Sequence, residues 1–225
     1  MEIKSLQLFC QSVSRQKVFY QDLLGIAGSS TSESTLDLSF KENLLTFKES
    51  DNTCYYHFAF LIPTGSLESA IEYLESKSID VLPFKGEKIV EFGTGRAIYF
   101  YDPEGNIAEF IERPSLNYPG KKEFEIGDVI KVNEIGLPCK ATLSMSRRLM
   151  EDYGVVPVQK NLLSSEFRWI GDFNGVFIVT KIGRPWKPTK KPGIVNDFRI
   201  RFSTPKGVFD LSFQDNEVVE NNSDK

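Results

Sequence analysis

The hydrophobic pattern of residues 1–113 runs through one order of elements twice, and this repetition constrains the chain more than any single residue does. Residues 3–10 alternate, with Ile3, Leu6, Leu8 and Cys10 mostly on one side and Ser5, Gln7 and Phe9 on the other, which predicts a strand. Ser12 or Ser14 can cap the helix that follows; Phe19 and Leu23 sit one turn apart on it, and Gly25 suits the left-handed residue that ends it. Short strands are expected near 27–31, 35–40 and 44–49. Residues 55–63 then read as a strand, and Thr64 or Ser66 caps a helix with Leu67, Ala70, Ile71 and Leu74 on one stripe. Strands near 79–82, 87–92 and 96–101 lead to a turn at 102–106 and a last strand through Arg113. One such unit leaves a curved sheet face open until a second closes it.

Residues 114–127, with two prolines, two glycines and no sustained period, read as a linker. Beyond it the pattern restarts. A strand with a turn is expected at 129–139, then a helical stripe of Ala141, Met145, Leu149 and Tyr153 stopped by Gly154. Strands near 166–171, 175–181, 194–203 and 207–213 follow, so the second half resembles a shortened copy of the first. The polar tail, 215–225, is expected to be disordered.

At 225 residues, 40% hydrophobic and 26% charged, the chain can bury one large core or two small ones. A net charge of −4 and a pI near 5.3 offer no general attraction to nucleic acid or an anionic membrane. Cys10, Cys54 and Cys139 are widely spaced and odd in number, which points to buried thiols in a reducing compartment. No apolar run reaches the ~18 residues of a membrane span, and the first residues lack the pattern of a signal peptide. A cytoplasmic protein, monomer or homodimer, with a small-molecule ligand is the expectation.

His57 is the only histidine, and Glu109 follows the turn at 102–106. Three stretches carry a family likeness: Phe19-Tyr20-Gln21-Asp22-Leu23-Leu24-Gly25, His57-Phe58-Ala59-Phe60, and Tyr101-Asp102-Pro103-Glu104-Gly105-Asn106 followed by Glu109. In order and spacing, residues 1 to about 113 resemble the vicinal oxygen chelate superfamily of glyoxalases, bleomycin- and fosfomycin-resistance proteins and extradiol dioxygenases. The resemblance implies an α+β fold in which tandem βαβββ modules form cupped mixed sheets. Residues 1–113 would be a glyoxalase-like domain holding the site, and 128–214 a degenerate, shortened second one. In the family a divalent metal sits in the cup and chelates neighbouring substrate oxygens. The matching positions here are Ser5, Thr46, His57 and Glu109. His57 and Glu109 fit the family's pattern; Ser5 and Thr46 depart from it, because neutral hydroxyls are poor ligands beside imidazole and carboxylate.

With one histidine per chain, a two-histidine iron site needs two chains to pool their imidazoles, and the family's pairing of unlike halves still leaves one His57 per site. Ring-cleaving dioxygenase and standard glyoxalase therefore rank low. Three readings stay open. In one, His57 and Glu109 hold a divalent metal completed by water, substrate, Gln7, Glu42 or Glu49, with Glu109 doubling as a base in lyase or isomerase chemistry. In another they hydrogen-bond a ligand without metal, as the likeness to bleomycin-resistance binders allows. In the third His57 is a strand residue with no ligand role.

Strand alternation puts Tyr55, Ala59 and Leu61 on the face of His57, and Ile107 and Ile111 on that of Glu109; Phe58, Phe60 and Phe110 would pack beneath the helices. Tyr99 and Tyr101 could add hydroxyls. Comparable slots in the second half fall near Glu134, Asp197 and Asp210. The basic, proline-rich stretch 181–192 is either a lid that brings Arg184 and Trp186 to an anionic ligand or a connector with Trp186 tucked into the core.

Overall fold

A computed structural model describes residues 1–158 and 164–221. Two curled, mixed sheets of seven strands each form the molecule. In the first, β14 (Glu217–Glu220), β13 (Gly207–Gln214), β12 (Phe198–Thr204), β1 (Glu2–Cys10), β4 (Leu44–Glu49), β3 (Thr35–Ser39) and β2 (Gly28–Ser32) lie side by side in that order. In the second the order is β10 (Phe167–Asp172), β11 (Gly175–Lys181), β9 (Lys131–Cys139), β5 (His57–Ile62), β8 (Ile107–Glu112), β7 (Gly95–Tyr101) and β6 (Val90–Phe92). Each sheet thus draws strands from both sides of residues 114–127, and sheet membership cuts across the expected division at that stretch. The reason is pairing: β1 joins β12 antiparallel, and β5 joins β9 antiparallel, so each unit finds its closing partner in the other half.

The sheets pack through one large apolar core. Leu6, Leu8 and Phe47 of the first meet Phe58, Phe60 and Phe110 of the second there, all fully buried. Tyr20 stacks on Phe47 with centroids 5.2 Å apart and meets Phe60 edge-on at 6.3 Å. The opposite face of the second sheet carries a smaller cluster with Ala59, Leu61, Ile107 and Ile111, as the alternation predicts.

Three helices cover the sheets. In α1 (Val13–Lys17) the Ser12 hydroxyl accepts from the Arg15 amide, so Ser12 rather than Ser14 is the cap. The helix widens into a π-type turn over Val18–Leu23, and Gly25, at φ +76°, ends it. α2 (Leu67–Ser76) buries Leu67, Ala70 and Leu74, each leucine contributing about 2 kcal/mol. Ser66, not Thr64, holds its N-cap position but makes no capping bond through its hydroxyl; instead Glu112 Oε1 accepts from the amides of Gly65, Ser66 and Leu67 at 2.8, 2.8 and 3.0 Å. A carboxylate supplied by a neighbouring strand answers the helix dipole better than a local hydroxyl, and no local signal in the sequence announces it. α3 (Thr142–Glu151) buries Met145 and Leu149, and Gly154 follows at φ +67°.

Residues 79–82 form no strand although Ile79 and Val81 are buried, because their backbone finds only a single ladder-like bond, Leu82 N to Tyr99 O. The strand expected at 194–203 begins at Phe198. The expected disorder of 215–225 fails for Glu217–Glu220, which pairs with β13; residues 222–225 lie outside the described ones. Cys10, Cys54 and Cys139 are buried free thiols. No helix among the described residues is long and apolar enough to cross a membrane.

The turn at 102–106 is a buried polar node. Asp102 accepts from Gln16 Nε2, Tyr20 OH, Asn106 Nδ2 and the amides of Glu104 and Asn106, at 2.7 to 3.0 Å. Replacing Asp102 by Ala leaves these donors unpaired in the core, and urea denaturation should register a loss of about 3 kcal/mol or more. Tyr20→Phe, which removes a single donor, should cost only about 1 kcal/mol; equal losses for the two would show that the node does not act as a unit.

Candidate functional site

Parallel pairing of β5 with β8 sets His57 opposite Ile107 and Ala59 opposite Glu109. Antiparallel pairing then sets Tyr99 opposite Glu109, and Glu134 of β9 opposite Ala59. Since residues opposite one another share a face, His57, Tyr99, Glu109 and Glu134 all point off the same side of the sheet. Ala59 lies between the two carboxylates and leaves the floor open there.

The four side chains line one cavity of about 240 Å³. Its walls are apolar and aromatic, with Phe84, Phe92, Phe167, Trp169 and Trp186, and Arg184 and Lys187 also face it. The polar floor is almost sealed from solvent: His57, Glu109 and Glu134 are 5%, 2% and 3% exposed.

Hydrogen bonds fix the protons on this floor. His57 Nδ1 lies 3.1 Å from the Ile107 carbonyl, so Nδ1 carries the hydrogen and Nε2 keeps its lone pair. Nε2 faces Glu109 Oε2 at 3.4 Å. Burial lowers the His57 pKa to about 4 against a partial offset from the Ile107 carbonyl, so the ring is neutral. Glu109 is pushed well above the ordinary carboxyl value, first by burial and then by the charge of Glu134; Arg113 and a hydrogen bond with Tyr99 counteract this only in part. Burial thus favours the protonated form of Glu109 beside Nε2.

Glu134 is different. Arg113, itself buried, bonds it directly, and Arg113 also donates to Thr94 Oγ1 at 2.7 Å. The guanidinium carbon sits 5.7 Å from the Phe92 ring centroid and 5.3 Å from that of Phe173. Burial pushes Glu134 up while Arg113 pulls it back. A guanidinium keeps its charge inside a protein, and a buried cation demands a buried anion, so Glu134 is the ionised carboxylate of the pair.

This arrangement bears on a metal. An imidazole with a carboxylate suits a divalent ion, and an Nδ1 bonded to a carbonyl is how metal-binding histidines are oriented. The third donor at this level of the sheet, Glu134, is already engaged by a permanent cation, whose charge opposes a second one beside it. Among the described residues no group of three or more His, Cys, Asp or Glu is placed as a metal cluster. The residues as arranged do not fit a divalent ion.

Of the residues singled out from the sequence, the structure brings together His57, Tyr99, Glu109, Glu134, Arg184 and Trp186. It does not bring Ser5, Gln7 or Thr46 to them. These lie on β1 and β4 of the other sheet, where Ser5 and Thr46 each pair within that sheet and Thr46 Oγ1 donates to Asp37 at 2.6 Å. Placing them beside His57 assumed that the first two units close on each other, whereas each closes on a unit from the second half. Glu42 is bonded to Lys131 and Tyr118, Glu49 accepts from the Val13 amide, and Asp210 holds Arg199. Asp197 Oδ1 accepts from the Asp215 amide. Tyr101 is 37% exposed beside Lys191, outside the cavity.

Trp186 is both buried and in the site. It is 4% exposed, with its ring centroid 4.9 Å from that of His57. Gly136 makes this possible, because a Cβ there would come within 2.8 Å of the indole. Arg113 was missed by the sequence reading although alternation carries it: residues 107, 109, 111 and 113 share a face. Phe84 and Phe92 had no such signal, and Lys187 was visible only as one of the basic residues of the 181–192 stretch.

No family model matches the sequence. Among solved structures, the chain is similar to a "putative dioxygenase" from Bacillus subtilis, with a TM-score of 0.60 and 14% identity, over 88% of this chain and 66% of that one. The chain thus spans about two thirds of that protein's length. A glyoxalase/bleomycin resistance protein/dioxygenase from Nocardioides matches over 54% of this chain and 89% of its own, at 19% identity and a TM-score of 0.41.

The proton assignment has a measurable sign. Burial raises Glu109 from its ordinary 4.5 and lowers His57 from 6.5, so the two act on stability with opposite signs: above 4.5 the folded chain keeps a carboxyl proton that the unfolded chain loses, and below 6.5 the unfolded chain gains an imidazole proton that the folded chain refuses. The Glu109 contribution falls as pH rises from 4.5 through its raised value, by at most about 1.4 kcal/mol per unit. Glu109→Gln should remove that fall. It should also expose the His57 contribution, a loss of stability as pH drops from 6.5 towards 4. Urea denaturation across both windows measures this, and parallel curves for parent and variant would place the proton elsewhere.

Proposed function

We propose that this chain, which has the fold of the vicinal oxygen chelate superfamily, binds a small molecule in the cavity over His57 and Glu109 without a metal ion, the fixed charge of Arg113 balancing the floor. The observation that carries the reading is the Arg113–Glu134 pair. With Glu134 ionised against Arg113, Glu109 protonated and His57 neutral, the floor has no net charge and needs no further cation. A cavity of about 240 Å³ falls just below the ~300–1,000 Å³ of drug-sized sites, so the occupant is small.

The floor offers defined chemistry to such a ligand. Glu109 and Tyr99 are protonated acids under a water-poor apolar roof and can donate to a carbonyl or hydroxyl oxygen. His57 Nε2, if Glu109 turns its proton to the ligand, becomes a free acceptor. Binding by hydrogen bonds is the primary activity, and a raised carboxyl next to a neutral imidazole is also suited to moving a proton on the bound molecule, as a lyase or isomerase requires.

Metal uptake separates this reading from the metal-dependent one. The parent protein, prepared without chelator and dialysed against Mn²⁺ or Zn²⁺, should retain no stoichiometric ion, and its Tm should not move on addition of either. Arg113→Met frees Glu134 beside His57 and Glu109 and should create a site: the variant's Tm should rise with added ion, and His57→Ala in that background should cancel the rise. A stoichiometric ion in the parent that disappears with His57→Ala overturns the proposal.

A further inference from the structure

The cavity has a polarity from floor to mouth that the floor chemistry does not use. Arg184 and Lys187 stand at its mouth, half-buried and exposed respectively, on the 181–192 stretch that returns over the second sheet. That stretch is held in place. Gly183 N bonds Gly193 O, Trp186 N bonds Lys191 O, and Tyr55 OH donates to Pro192 O at 2.5 Å. Lys191 Nζ adds a 2.6 Å bond to Gly105 O. The two cations are therefore positioned by backbone pairing rather than left on a floppy connector.

Each cation lies on an aromatic ring of the cavity. The Arg184 guanidinium carbon is 4.3 Å from the Phe167 centroid, and Lys187 Nζ is 5.2 Å from that of Phe84. Phe167 continues through Trp169 to Phe92, with centroids 5.5 and 5.9 Å apart, so one wall is a continuous aromatic surface that ends on Arg184. Stacking uses the face of a guanidinium and leaves its in-plane N–H donors pointing outward, in the fork that matches a planar oxyanion. Among the described residues no carboxylate forms an ion pair with Arg184 or Lys187; Glu166 acts on Arg184 only at a distance and is itself paired with Lys181. Among the described residues, Glu91 is the one carboxylate lining the cavity besides Glu109 and Glu134, and Arg184 and Lys187 line it too. Burial of Arg184 without a close counter-charge lowers its pKa, which agrees with a partner that arrives with the ligand.

We propose that the ligand is a small aromatic oxyanion, a carboxylate or a phosphate ester on a flat apolar body, with the ring against the Trp169 wall and the anion held by Arg184 and Lys187 at the mouth. This rests on the reading of the cavity as a ligand site and adds the class of ligand. The ring enters because the wall is aromatic and continuous; the charge stays outside because the floor already holds a balanced set of ionised and neutral groups.

Trp169 and Trp186 are the only two tryptophans of the chain and both line the cavity, so intrinsic tryptophan fluorescence reports on this place alone. Titrations of the full chain with benzoate, phenyl phosphate and benzyl alcohol compare the same ring with two anions and with a neutral hydroxyl. Benzoate or phenyl phosphate should bind at least about 10-fold more tightly than benzyl alcohol, and added salt should weaken only the anions. The stronger of the two anions identifies the ligand as carboxylate or phosphate. The double variant Arg184→Gln, Lys187→Gln should bring the anions to the level of benzyl alcohol and leave benzyl alcohol unchanged. Equal affinities for all three probes, untouched by the double variant, overturn the oxyanion and keep the cavity. No response to any probe in the parent or in Val90→Ala, which widens the apolar wall, removes the cavity reading and this inference with it.

Discussion

The arrangement of the site depends on one buried carboxylate that never touches the cavity. Asp102 gathers donors from α1, from the π-type turn after it and from its own loop, and so ties the helix that belongs to the first sheet to a turn that belongs to the second. The same turn fixes strand register. Asn106 Oδ1 accepts from the Tyr56 amide at 2.7 Å and the Ile107 amide donates to Tyr56 O at 2.8 Å, so β8 begins level with β5. From that level onward Ile107 meets His57 and Glu109 meets Ala59. A slip of one residue would turn Glu109 into the apolar core and Phe110 towards the cavity.

Charge within the site follows from burial. Four titratable groups and a guanidinium share a region that water barely reaches, where an unpaired charge is costly. Arg113 and Glu134 satisfy each other. Glu109 and Tyr99 stay neutral because burial and the charge of Glu134 disfavour further anions, and His57 stays neutral because burial opposes a cation and outweighs the Ile107 carbonyl, which favours one. The arginine thereby supplies the positive charge that balances Glu134 within the floor.

Much of this was legible in the sequence, and the part that was not has a physical cause. Alternation along 57–61 and 107–111 identified which side chains face the cavity and which face the helices, because the period of a strand is a property of local geometry. The likeness carried by the Phe19–Gly25 stretch and by Asp102–Asn106 rests on residues that build the Asp102 node, so it reported fold rather than chemistry. Strand pairing between halves was not legible. Ser5 and Thr46 occupy the right places within their own unit, yet which unit closes on which depends on contacts spread over more than a hundred residues, and no local pattern encodes them. Glu134 was visible as a position but not as a member of the site for the same reason. Glu112 as the cap of α2 needed the tertiary structure outright.

The nesting of one sheet inside the other in chain order has a consequence for biosynthesis. Every strand of the cavity-bearing sheet falls between residues 57 and 181, whereas the other sheet is centred on the contact of β1 with β12, strands that flank that whole span in sequence. As the polypeptide emerges from the ribosome, the inner sheet can complete its ladder first, while β1 to β4 wait as an open half whose exposed edge stays unpaired until the last strands arrive. Until β12 pairs with it, β1 presents an open edge of the kind that accepts a foreign strand.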